Sequence, residues 1–134
     1  MGGFMRAAIV GSFAIVTITL MATHGVVGQE PVPYDARAGV RLMRAINTAE
    51  NAGRRNDGYV AIERLLTHPM MGGVAQSVVL DGHDATYLGQ SLRLVVSGDG
   101  QHYQAALVPP SECGVAVFTD ERGLIFTGKV IGCP

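Results

Sequence analysis

Three groups of residues in this chain have types and spacings that could carry chemistry. The stretch "DGHD" at 81–84 sets two carboxylates, Asp81 and Asp84, around the imidazole of His83. Such a grouping could hold a cation. A hard cation wants six or more oxygen ligands, however, and no further Asp or Glu follows at the spacing of a calcium loop. The stretch therefore reads as a polar turn, a conformation that Asp and Gly favour. His68, His83 and His102 have neither an H-x-x-x-H spacing nor cysteine company, so no metal site and no cofactor is expected. The sequence contains no G-x-S-x-G elbow, phosphate-binding loop or dinucleotide fingerprint, and the reading is of a protein that is not an enzyme.

The second group is the only two cysteines, Cys113 and Cys133, at the ends of "CGVAVFTDERGLIFTGKVIGC". In an oxidising compartment two cysteines most simply form a disulfide, which removes both as nucleophiles. If the enclosed hairpin turns between Glu121 and Arg122, Cys113 faces position 130 and Cys133 lies three residues further on. A bridge then needs a bend at Gly132 or Gly114, a bulge, or a longer turn. The third group is arginine. On a helix, Arg37, Arg41, Arg44 and Arg55 share one narrow stripe with Thr48 and Asn51, either a solvated face or a partner-binding face for an acidic protein or a neighbouring subunit.

What positions these groups is one small domain. The chain has 134 residues, a net charge of -1, 18 Gly and 16% charged residues. This balance gives no long-range reason to expect nucleic acid as a partner. Residues 7–28 are uncharged and follow Arg6, as in a secretory signal cleaved before Gln29 or an uncleaved membrane anchor. The division is 1–28 for that segment and 29–134 for a single α+β domain, entered through the extended "QEPVPYDA" with its two prolines. Secreted, periplasmic or cell-surface placement follows, with membrane contact only through an uncleaved N-terminal segment.

Ala36, Val40, Met43, Ile46 and Ala49 step at helical spacing behind Asp35 as N-cap. Either Gly53 or the "NDG" at 56–58 ends this helix, which at about 19 residues is roughly 28 Å long. A second, shorter helix is expected in "YVAIERLLTH", with Val60, Ala61, Leu65 and His68 on one side and Pro69 as its stop. The period then changes to two. "SVVL" reads as a strand, "DGHDATYLGQ" as a polar loop, and "SLRLVVSGDGQHYQAALVPP" as a hairpin turning at 98–100. A last hairpin turns at "DERG", whose Asp120 and Gly123 suit a type I turn. The expected fold is α+β, a long N-terminal amphipathic helix on an antiparallel sheet of four or five strands.

"RAINTAENAGRRNDGYVAIERL", followed by the strands and by "VFTDERGLIFTGKVIGC", resembles the globular heads of bacterial type IV pilin-like and pseudopilin-like proteins. The specific part is "INTAE", the pair Gly58 and Tyr59, and "FTDERGLI". The resemblance implies a pilin-head-like fold, a disulfide bracketing the C-terminal region where Cys113 and Cys133 stand, and a role in a filament, secretion or adhesion assembly with no catalytic residues. The N-terminus departs from that pattern. Gly3 before Phe4 imitates the leader cleavage site, but the fifth residue from Phe4 is Ala8 where the family has Glu, and prolines interrupt the stalk. Two functions are compatible with these residues: a non-enzymatic extracytoplasmic structural or interaction protein, with a protein partner or pilin-like neighbours, and a small secreted ligand-binding domain or enzyme using "DGHDATY" and the arginine stripe.

Overall fold

A computed structural model describes residues 35–129 and 131–133. The expected signal or anchor, its cleavage points and the proline lead-in lie outside these residues. No helix among the described residues is long and apolar enough to cross a membrane.

Helix α1 spans Ala36–Asp57. It starts where expected because the Asp35 carboxylate accepts the Arg37 N–H at 2.9 Å, satisfying one of the first-turn donors that no helical carbonyl can reach. It ends at Gly58, whose φ of 80° and ψ of -168° turn the chain out of the helix. The second helix is shorter than expected. Only Ile62–Leu65 is α-helical (α2), followed by 3-10 turns at Pro69–Met71 and Ala75–Ser77. Its buried residues are Ile62 and Leu65.

Six strands then form a simple antiparallel meander in chain order: β1 Val78–Asp81, β2 Asp84–Tyr87, β3 Gln90–Val96, β4 Tyr103–Val108, β5 Ala116–Asp120 and β6 Ile125–Gly128. This corrects the pilin-head-like fold expected from the sequence, a long N-terminal helix over four or five strands. The sheet has six strands, and the helix begins inside the chain at Ala36. The missed strand is β2, hidden in what reads as a polar loop. Gly82, with φ 60°, allows a two-residue turn into it. Leu88 and Gly89, with φ 49° and 77°, make the two-residue turn out.

The hairpin expected between β3 and β4 holds its register. Leu92, Leu94 and Val96 face Leu107, Ala105 and Tyr103 across β3 and β4. Asp120 and Gly123 close the last turn through a 2.8 Å backbone bond. Helix α1 covers one face of the sheet, and the core between them contains Leu42, Met43, Ile46, Leu65, Met71, Leu107 and Val117, all essentially inaccessible to solvent. Burying each such side chain stabilises the fold by about 1.5–3 kcal/mol, so this layer holds helix and sheet together.

Candidate functional site

The outward side of α1 is the arginine face that the helical spacing implies. Arg37, Arg41, Arg44, Thr48, Asn51 and Arg55 are all exposed, while Ala38, Leu42, Met43, Ile46 and Ala49 are buried. With Arg54, the helix holds five of the chain's ten cationic side chains. Its first turn contains no acid. None of Arg37, Arg41, Arg44 and Arg55 has an ion-pair partner among the described residues. From position 37 to position 55 the stripe runs about 27 Å. Each guanidinium presents a planar fork that binds a carboxylate through two parallel hydrogen bonds, so the stripe suits an acidic protein surface.

The inward side holds a polar junction that periodicity does not reveal. Asn47 Oδ1 accepts the Tyr103 hydroxyl at 2.5 Å, and its Nδ2 donates to the Gly123 carbonyl at 3.2 Å. The Thr119 hydroxyl, 3.1 Å from the same Oδ1, donates to the Leu124 carbonyl at 2.7 Å. One buried amide thus ties α1 to β4, β5 and the last turn. One helical turn on, Glu50 is 1% exposed and accepts the Val60 N–H at 3.1 Å. Burial pushes its carboxyl above the ordinary glutamate range, although the Val60 bond acts the other way. Burial, and then the neighbouring Glu50 charge, push the Tyr103 hydroxyl up as well. The signal for these residues was a pair of polar side chains at i and i+3 inside an apolar arc.

The "DGHD" stretch is the turn between β1 and β2, with Asp81, His83 and Asp84 exposed. It is not brought to the arginine face. Helix α1 rests on β5 and β6, and four strand steps separate β1 from β5, about 19 Å. Among the described residues no group of three His, Cys, Asp or Glu side chains is placed to hold a metal ion.

A serine, a histidine and two acids do meet at the turns after β3 and β5, a grouping that the sequence spacing concealed. His102 Nδ1 lies 3.1 Å from Glu121 Oε1, and Ser97 Oγ lies 2.5 Å from Asp99 Oδ1. The Ser97 hydroxyl gives its proton to Asp99 while its oxygen accepts the His102 backbone N–H at 3.0 Å. It therefore closes a turn and is not poised as a nucleophile. That hydroxyl, with the Gln101 N–H, holds the Asp99 carboxyl below its usual range.

At the opposite end of the sheet, Cys113 and Cys133 are joined, with their Cα atoms 5.2 Å apart. The register puts Thr119 opposite Ile125 and Ala116 opposite Gly128, which extends to Cys113 facing position 131, not 130. The chain bends at both Gly132 and Gly114, two of the alternatives that the spacing left open. Gly132 has φ 97°, and the Gly114 N–H bonds back to the Ser111 carbonyl at 3.0 Å. Beside this clasp, on the sheet face away from α1, Phe118 and Phe126 stack with ring centroids 5.2 Å apart and remain 44% and 39% exposed.

No family model, curated protein or solved structure matches the chain.

Proposed function

We propose that this chain is a non-enzymatic, extracytoplasmic structural or interaction protein. It resembles pilin-like and pseudopilin-like heads in its short motifs, serves a filament, secretion or adhesion assembly, and meets an acidic protein partner or a like neighbour through Arg37, Arg41, Arg44 and Arg55. The observation that carries this reading is the exposed arginine face, in which four guanidinium groups on one helix lack a carboxylate partner among the described residues. The disulfide supports the compartment, because such bonds persist where the surroundings are oxidising.

The test is a photo-reactive side chain at position 41 of the full chain in its native host. A specific covalent adduct is expected there. Charge reversal by Arg37→Glu, Arg44→Glu and Arg55→Glu together should abolish the adduct. Each exposed substitution should cost no more than about 0.5 kcal/mol in stability. No adduct from position 41, or an adduct indifferent to the reversal, would remove the reading.

A further inference from the structure

We propose that Glu50 is a proton-operated latch, holding the 59–65 segment against α1 while its buried carboxyl is protonated and releasing that segment as rising pH ionises it. On a free helix Glu50 would pair with Arg54 at i+4. Here the two part company. Arg54 places its guanidinium 5.4 Å from the centroid of the Tyr59 ring, while Glu50 points inward and is 1% exposed. Among the described residues only one carboxyl oxygen is satisfied. Oε2 takes the Val60 N–H, and Oε1 has no hydrogen-bond partner. The Tyr59 hydroxyl in the same junction is also buried without one.

Among the described residues no ion pair to the Glu50 carboxylate is present. From α1 the nearby polar groups are Asn47, committed to Tyr103 and Gly123, and Arg54, held at Tyr59. The segment after the helix offers Tyr59 and the Val60 N–H, and β4 offers Tyr103, whose ring meets Tyr59 edge-on at 4.7 Å. Glu63 and Arg64 of α2 are exposed, and His68 beyond them uses Nδ1 to accept the Met70 N–H. Asp120 and Glu121 act on Tyr103 from the last turn, and both are acids. Among the described residues Glu50 thus meets hydroxyls and amides, and no cation is paired with its carboxylate.

A buried, half-satisfied carboxylate is costly, and a protonated carboxyl much less so. The folded state therefore keeps its proton at pH values where the unfolded chain has released it. The unfolded state then binds fewer protons, and linkage makes stability fall as pH rises from about 4.5 through the folded value. Release would spread beyond the segment, because the Tyr59 N–H holds the Gly100 carbonyl at 2.9 Å and so anchors the β3–β4 turn.

The experiment compares wild type with Glu50→Gln in the full chain, following thermal unfolding and exchange of the Tyr59 and Val60 amides from pH 4 to pH 9. The difference profile cancels the surface carboxylates common to both proteins. The two should melt together at pH 4. As pH rises Glu50→Gln should melt higher and protect both amides better. Parallel profiles would overturn the latch. If Glu50→Gln does not fold, a carboxyl-carbon NMR titration of wild type decides instead. A Glu50 midpoint at or below 4.5 refutes the proposal, and one above it supports it.

Discussion

Replacing Cys113 and Cys133 together by serine should lower the unfolding free energy by about 3 kcal/mol, the loop-closure entropy of a bridge spanning some twenty residues. Their sequence separation is 20. The loss should come mainly from the unfolded state. The bridge joins two exposed bends beyond the ends of β5 and β6, and few core contacts depend on it. Urea unfolding should then show a lower midpoint and a steeper dependence on denaturant, since the unlinked chain exposes more surface. In the folded state, fraying should be confined to the residues that follow Gly128, with the core around Leu107 and Val117 unchanged. A loss well under about 1 kcal/mol would mean that the clasp adds little beyond local order.

An effect of similar size is expected at the end of α1. Gly58 combines φ 80° with ψ -168°, a region that is essentially glycine-only. A Cβ there would lie 2.7 Å from the Gly100 carbonyl oxygen, a backbone atom that cannot swing aside. That same oxygen accepts the Tyr59 N–H, so yielding space would break the bond joining the helix exit to the β3–β4 turn. Gly58→Ala should therefore cost about 3 kcal/mol, the sum of backbone strain and a weakened hydrogen bond. Gly53 supplies the contrast. It lies inside the helix with nothing within 4 Å of a built Cβ, so Gly53→Ala should stabilise by about 0.5–1 kcal/mol. Denaturant midpoints of the two variants should move in opposite directions, and equal shifts would contradict the geometric account.

The elements most legible in the sequence were those whose local chemistry and burial agree. Asp35 caps α1 as its side-chain type predicts, and the alternation through Leu92, Leu94 and Val96 gives the correct register with β4. Strand β2 was hidden in part because the turn that leaves it does not follow the usual signals. Leu88 occupies a positive φ that normally selects Asn or Gly, and its half-buried side chain packs against the core. In strand β5 burial does not follow side-chain hydrophobicity. Thr119 is buried because its hydroxyl finds the Leu124 carbonyl, whereas Phe118 faces outward and stacks on Phe126.

The same distinction governs the candidate site. The exposed arginines follow directly from 3.6-residue periodicity, which sorts side chains by polarity. Asn47 and Glu50 escape that sorting because they are polar groups turned into an apolar arc, and their partners come from positions 10 to 76 residues away. No local pattern encodes such pairings. Two faces of one helix therefore had unequal visibility, with the solvent side readable from spacing and the inward side readable only after the sheet is in place.

The most direct test of an extracytoplasmic, disulfide-clasped domain is the alkylation mass shift of protein taken from its native compartment, measured unfolded before and after reduction. No cysteine should be labelled before reductant, and two labels should appear after it, on Cys113 and Cys133. Two labels without reductant would contradict the disulfide clasp.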